Sequence, residues 1–482
     1  MSVKKNTLYN FVLVLANILF PFISAPYVSH ILHIEDIGLV NNGAAFSALF
    51  IKLCSFGIVA YSQREIARVK ENEKDINRVF SEGFTAHFLI TLVGCVIYFL
   101  YVYLFVADIN TKKMYFIFLF LVFVEPLKLE WFYTGIENFK FIANRSIFVK
   151  VLSLIGLFIF VKTENDFYIY GILTVAATSL NCFFNLIHCR KFVKYTFTLK
   201  NFFHILFSSK YFYLLNIVTI CYQNLNQLLL GKNNTDLALY VRATGLAALL
   251  SLLINPIINA VAPRTSNLFN KEREQYNYYV LKAYSYVGFL LFPATFGMAV
   301  LGKNIMYLFG GTQFAEGGLV LTILAFAYLL SNHEVFINEI ISIPSGNEKN
   351  TVVGNVVVAV FSLILNPLLI FRYGAIGAAL VSLITELIGL IVQIFLIKKQ
   401  KIINNFKIRK LLIYLISSII MVCILQLLKP IFLNIYIQTI FLIFIGVTLY
   451  FTLYIVISKI FKVDIEELKF IADYLHKKVI KK

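Results

Sequence analysis

About fourteen runs of some twenty apolar residues, the length an α-helix needs to cross ~30 Å of hydrocarbon, follow one another along this chain. They lie near residues 8–30, 38–61, 81–106, 114–135, 145–162, 167–188, 208–231, 236–262, 278–302, 315–342, 350–371, 374–397, 411–429 and 431–457. Runs this long and continuous do not suit a β-barrel, whose strands alternate over ~10 residues. A helix, by contrast, satisfies its own backbone in lipid. With 60% hydrophobic and 14% charged residues, the chain lies well outside the soluble average of about 45–50% and 25%. The expected fold is all-α and integral to the membrane.

The net charge of +18 raises nucleic acid as a partner, and the distribution of basic residues argues against it. If the N-terminus is cytoplasmic, most of the 43 Lys and Arg fall in cytoplasmic connections, Arg64, Arg68, Lys70, Lys74 and Arg78 in one of them. The opposite face holds Lys112, Lys113, Lys162, Lys232, Lys303, Arg372 and Lys429. This positive-inside bias puts both termini in the cytoplasm; the basic charge serves topology and contact with anionic membrane lipids. The six cysteines have no paired spacing and read as small packing residues. No metal motif occurs. Lys4 and Lys5 before an apolar run imitate a signal peptide, but the run lacks a small-residue cleavage site and reads as the first helix. Pro21 and Pro26 in that helix predict a kink or a local unwinding.

The organisation suggests duplication. Residues 64–84 resemble 264–284, each a polar connection after the second helix of a group of six. We expect an N-terminal six-helix lobe at 1–190, a basic cytoplasmic linker at 191–207, a second six-helix lobe at 208–400, two additional helices within 401–458, and a basic amphipathic tail at 459–482. The additional pair is nearly devoid of polar residues and reads as lipid-facing. The tail, with Val463, Leu468, Ile471, Leu475 and Val479 on one face, suits an interfacial helix. Outer connections are too short for a catalytic domain.

A charge at the bilayer centre costs at least ~2.5–3.5 kcal/mol, so each needs a partner, water or a task. Glu125 and Lys128, spaced i, i+3, can pair with each other, while Glu130 and Lys150 can snorkel to the interface. Lys52 and Arg242 have no acidic residue three or four positions away; as cations flanking a cavity they suit an anionic substrate. Glu334, Glu339 and Glu386 lack a local cation, and with Glu125 they are candidates for coupling to H+ or Na+. His87 and His333 read as satisfied interior polar groups. Tyr61 and Tyr240 could stack on a sugar.

The stretch EWFYTGIENFKFIANRSIFVKVLSLIGLFIFVKTENDFYIYG resembles the fourth-to-sixth helix region of bacterial oligosaccharide flippases. These form the polysaccharide-transporter branch of the multidrug/oligosaccharidyl-lipid/polysaccharide exporter superfamily. Trp131, Gly135, Glu137, Lys140, Arg145, Lys150 and Asp166 stand where that pattern places such residues. APYVSHILHIEDIGLVN, AYSQREIARVK and GNEKNTVVGNVVVAVFSLILNPLLIFRYGAIGAALVSLITELIG agree with it, and together the matching stretches cover most of residues 1–400. The resemblance implies two pseudo-symmetric six-helix lobes around a central cavity, two additional helices and alternating access. It also implies a polyprenyl-diphosphate-linked oligosaccharide as substrate and a bacterial cytoplasmic membrane location. Polysaccharide polymerase and chain-length proteins are implied as partners. Lys52, Arg242, Lys128 and Lys150 are then the cations expected to meet the diphosphate. One departure is Asn226 in YQNLNQLLLGKNN, where relatives often carry an acid; coupling here would use another carboxylate. The nearest rival reading is a cation-coupled multidrug antiporter of the same superfamily. A membrane-embedded glycosyltransferase or polymerase would need a large outer loop, and a scaffold of an assembly complex is a third possibility.

Overall fold

The computed structural model describes residues 20–69, 71–220, 224–400, 408–429 and 434–463. The tail beyond 463 and the first part of the first apolar run lie outside the described residues. Residues 20–31 are helical through both Pro21 and Pro26. Every regular element described is helical, and ten helices among the described residues are long and apolar enough to cross a membrane. The protein is a multi-pass membrane protein.

Two compact units form, Met1–Ala238 and Leu239–Lys482. The first contains α1 (Ile34–Ser55), α2 (Ile58–Val69), α3 (Glu73–Phe105), α4 (Ile109–Val124), α5 (Glu130–Gly135), α6 (Phe139–Phe160), α7 (Phe167–Cys189), α8 (Phe202–Thr219) and α9 (Leu225–Leu230). The helix α10 (Asn234–Ala247) runs across the division. The second unit continues with α11 (Leu249–Leu268), α12 (Arg273–Val300), α13 (Gly302–Gly310), α14 (Gly318–Ile337), α15 (Glu348–Lys399), α16 (Ile408–Leu428) and α17 (Ile435–Ile460).

Lipid is as apolar as leucine, so burial follows size and polarity instead of hydrophobicity. On α1 the buried face carries Gly38, Asn42, Gly43, Ala45 and Ser47. On α3, Gly94, Tyr98 and Val102 turn inward at i, i+4, i+8 while Val93, Val96, Ile97 and Leu100 stay exposed. Close backbone approach through small residues and buried hydrogen bonds accompanies hydrophobic clusters such as Leu39, Val40, Met114, Phe118 and Val175. Asn42 shows the pattern: it donates to the Gly231 carbonyl at 2.8 Å and accepts from the Tyr115 hydroxyl at 3.0 Å.

Several apolar runs are interrupted. The run expected at 38–61 breaks at Phe56 and Gly57, both with left-handed backbone (φ 44° and 72°). The run at 114–135 breaks at a 3-10 turn, Glu125–Lys128, started by Pro126 and closed by left-handed Leu129 (φ 48°). The helix α15 is 52 residues long, which at 1.5 Å per residue would be ~78 Å, more than twice a bilayer core. It turns at Gly374 (φ 54°, ψ −130°), the junction of the two spans expected from the sequence.

In unit 2, Tyr414 and Met421 of α16 and Tyr450 and Tyr454 of α17 close on Phe289 of α12, with the Tyr450 hydroxyl donating to the Phe289 carbonyl at 2.9 Å. The last two helices therefore present one face to lipid and dock the other.

Candidate functional site

Each unit holds charges within its apolar helices, and in the first unit helix breaks position two of them. Lys52 lies on the last turn of α1, just before the break at Phe56–Gly57. The Ser55 hydroxyl donates to the Lys52 carbonyl (2.9 Å) and accepts from Asn216 Nδ2 (3.1 Å), which fixes that turn against α8. Gly57 makes the break possible, since a Cβ there would stand 2.7 Å from the Ser209 carbonyl oxygen and the Tyr213 nitrogen. Lys52 Nζ donates to Asn224 Oδ1 at 2.6 Å, and no carboxylate among the described residues pairs with it. It is a half-buried cation balanced by a neutral amide.

The second break carries a denser network. Lys128 and Glu125 face each other at 3.9 Å across the 3-10 turn, the i, i+3 pair that the sequence suggests. Glu130 pairs with Arg145 at 3.1 Å, so its partner is Arg145 and the interface is not where its charge ends. Asn185 of α7 ties this break to Arg145 of α6 by hydrogen bonds. Its amide nitrogen donates to the Lys128 carbonyl, and its oxygen accepts from the Arg145 guanidinium. Arg145 is almost fully buried. The sequence gives it no site role because it follows the polar connection GIENFK; the signal was the pair of opposite charges on either side of that connection. Lys150, one turn and a half further along α6, lies 6.0 Å from the Phe20 ring. The structure thus gives Lys52, Lys128 and Lys150 three different surroundings within unit 1.

Arg242 belongs to unit 2. Its guanidinium donates to the Phe309 carbonyl and lies 4.5 Å from the Phe314 ring centroid, so backbone and aromatic groups partly satisfy it. Tyr240 is buried, with its hydroxyl 3.2 Å from Ser382 Oγ. Tyr61 lies under the Arg64 guanidinium at 5.5 Å.

The acidic candidates separate clearly. Glu334 on α14 is buried, and its Oε1 has no hydrogen-bond partner. Glu386 on α15 is close enough for the two carboxylates to interact, and it hydrogen-bonds Ser331. Two acids one helix apart in an apolar setting cannot both carry a charge cheaply, so they suit sharing a proton or a small cation. Glu339 lies on the π-helical turn Asn338–Ser342 and is exposed. Glu125 is engaged with Lys128.

The histidines differ from expectation in one respect. His333 Nδ1 is 2.7 Å from the Leu329 carbonyl and is satisfied. His87 is buried, and its Nε2 has no partner among the described residues.

An apolar groove of about 410 Å³ opens in unit 2 between α12 and the pair α16 and α17, lined by Leu290, Pro293, Met298, Met421, Ile443 and Val447 among others.

The sequence profile of polysaccharide biosynthesis proteins matches residues 3–269. A Shigella dysenteriae protein designated an O-antigen transporter is 27% identical over 420 residues, which is 83% of this chain and all of that protein. A Haloferax volcanii protein designated a low-salt glycan biosynthesis flippase is 28% identical over 145 residues, 30% of each chain. Among solved structures, the inward closed form of the lipid II flippase MurJ superposes with a TM-score of 0.79 at 17% identity, covering 94% of this chain and 99% of that one. An inward-facing multidrug transporter of the MATE family gives a TM-score of 0.53 at 14% identity, covering 83% and 96%. These likenesses establish a MurJ- and MATE-like transporter fold. The profile spans more than half of the sequence, and the chain belongs to the family of polysaccharide biosynthesis proteins.

Proposed function

We propose that the protein is a flippase that moves polyprenyl-diphosphate-linked oligosaccharide repeat units from the cytoplasmic to the outer leaflet of a bacterial cytoplasmic membrane. It acts by alternating access and makes or breaks no covalent bond. The carrying observation is Lys52: a half-buried cation at a helix break, held by the Asn224 amide and with no carboxylate partner among the described residues. A cation kept in that state at membrane depth is costly unless an anion comes to it, and a diphosphate is such an anion. Lys128 and Lys150 of the same unit, and Arg242 of the other, are the further cations we assign to it. The apolar groove on α12 has the chemistry to take an isoprenoid chain. The designations of the relatives from Shigella and Haloferax support the same substrate class. Both termini lie in the cytoplasm in this reading, and polymerase and chain-length proteins are the partners that would consume the product.

Coupling falls to Glu334 and Glu386, with H+ or Na+ as the coupled ion. Of the four acidic candidates, Glu334 is buried with the half-buried Glu386 beside it, and neither has a cation within ion-pair distance among the described residues, whereas Glu125 is paired and Glu339 is exposed.

The test is translocation of a polyprenyl-diphosphate oligosaccharide in proteoliposomes containing the purified protein, with Lys52→Ala and Arg242→Ala variants beside it. Movement by the wild-type protein, reduced at least tenfold in Lys52→Ala with the variant still folded, is the expected result. No movement of any such lipid, together with efflux of an organic cation, would transfer the case to a multidrug antiporter.

A further inference from the structure

A second basic site lies away from these charges, at the N-terminal end of α3. There the connection after α7 runs back along the helix and is tied to it rung by rung. The Lys194 amide donates to Asn77 Oδ1 (2.8 Å), the Thr196 amide to Ser81 Oγ (3.1 Å), and Asn201 Nδ2 to Glu82 Oε1 (3.0 Å). Between helix and connection is a hollow of about 410 Å³, within the ~300–1,000 Å³ range of small-molecule pockets.

Its lining is cationic and hydroxylated. Lys194, Thr196, Thr198 and Lys200 face it from the connection, and Lys74 and Arg78 from successive turns of α3. Arg78 is paired with Asp75 at 3.0 Å, and Glu82, the acid of the lining, accepts from Asn201. Lys74, Lys194 and Lys200 have no carboxylate within ion-pair distance among the described residues. Three lysines without a carboxylate partner, at a hollow also lined by Ser81, Thr196 and Thr198, suit an oxyanion such as a phosphate.

The other side of the same connection says where that phosphate comes from. Of the residues that alternate with the lining ones, Phe197 and Leu199 are 63% and 59% exposed, while Tyr195 packs on Phe84 and its hydroxyl lies 3.1 Å from Thr85 Oγ1. The following helix continues the apolar side with Phe203 and Phe207, 79% and 73% exposed. Exposed Phe and Leu opposite a Lys-rich polar side are the composition of a segment lying in the membrane interface. The length of α3 agrees: its 33 residues span ~50 Å, so its polar first turns project beyond a ~30 Å core to headgroup level.

We propose that this hollow binds the phosphate of an anionic phospholipid headgroup, with the connection lying in the interface, apolar side in the acyl region and lysine side around the phosphate. This site is separate from the transported substrate and does not rest on the flippase reading.

Native mass spectrometry of the purified full-length protein tests it, with phosphatidylglycerol, phosphatidylcholine and inorganic pyrophosphate as probes. The wild-type protein should retain phosphatidylglycerol at least tenfold more strongly than phosphatidylcholine. Lys74→Gln, Lys194→Gln and Lys200→Gln together should lower that retention about tenfold. These lysines are exposed, so the thermal midpoint should be unchanged. A matched loss of charge elsewhere, Lys349→Gln with Lys398→Gln and Lys399→Gln, should leave retention intact. Equal loss in both triple variants, or none in the first, would overturn the site. Binding of pyrophosphate without retention of the lipid would overturn the lipid assignment and make it a site for free phosphate.

Discussion

Gly389 lies directly against the Glu334 carboxylate: a Cβ at that position would come within 2.0 Å of Oε1. The absent side chain gives Glu334 its place beside Glu386, three residues from Gly389 along α15. Gly389→Ala therefore acts on the carboxylate pair without removing either acid. The added methyl also meets Val358 at 2.8 Å, so overpacking of about 1–3 kcal/mol is expected. The thermal midpoint should fall by a few degrees, and ion-coupled transport in proteoliposomes should fall several-fold more than uncoupled exchange. Equal loss of both would mean that the glycine serves packing alone.

Asn224→Asp gives Lys52 the counter-ion it lacks. The lysine is then neutralised at 2.6 Å, and an incoming diphosphate must displace an internal carboxylate. Transport should drop about tenfold while stability is kept or improved. Asn224→Ala, which leaves the charge free, should drop it much less. A protein in which both variants transport as well as wild type would show that Lys52 meets no anion.

Arg145→Gln removes the cation that joins Glu130 and Asn185. Losing one partner of a buried pair costs about 3–5 kcal/mol. Glu130 is 45% exposed, so water screens what is left, and about 2–3 kcal/mol is the expectation here. Thermal unfolding of the purified variant measures it. A double-mutant cycle with Glu130→Gln should recover a coupling of about 1 kcal/mol.

Gly57→Ala would force a side chain into left-handed backbone (φ 72°) and into Phe212, 2.7 Å away. The change should destabilise by at least about 1–2 kcal/mol and weaken transport through the displaced end of α1. A control at Gly245, where a Cβ meets nothing within 4 Å, should be near neutral.

The course of the helices was legible because lipid demands length and apolarity, and the two spans that meet at Gly374 illustrate this. Their breaks were less so. Pro126 stands in one of them, inside a run expected to be continuous, and the residues that take left-handed backbone, Phe56 and Leu129, are bulky side chains that no local rule would choose. Burial was hidden for another reason. The inward face of α1 mixes small and polar residues with Ile37, Leu39 and Val40 while the lipid face is also apolar, so hydrophobic periodicity carries little information. Of the candidate charges, Glu125 and Lys128 could be paired from spacing alone. The partners of Lys52 and Glu130, Asn224 and Arg145, come from distant segments and needed the fold. Glu334 and Glu386 were recognisable as unusual residues, but only the packing of α14 on α15 separates them from exposed Glu339.

The connection that lines the basic hollow has a fixed length for a geometric reason. Its residues alternate between two environments with a period of two. Deleting or inserting one residue between Lys194 and Lys200 would exchange the sides, as a one-residue slip does in any extended strand. Ammonium groups would then point toward acyl chains, and Phe197 and Leu199 toward the hollow. Substitutions at single positions should be tolerated here, while single-residue indels should not. Among homologues, changes of length in this loop are therefore expected in steps of two.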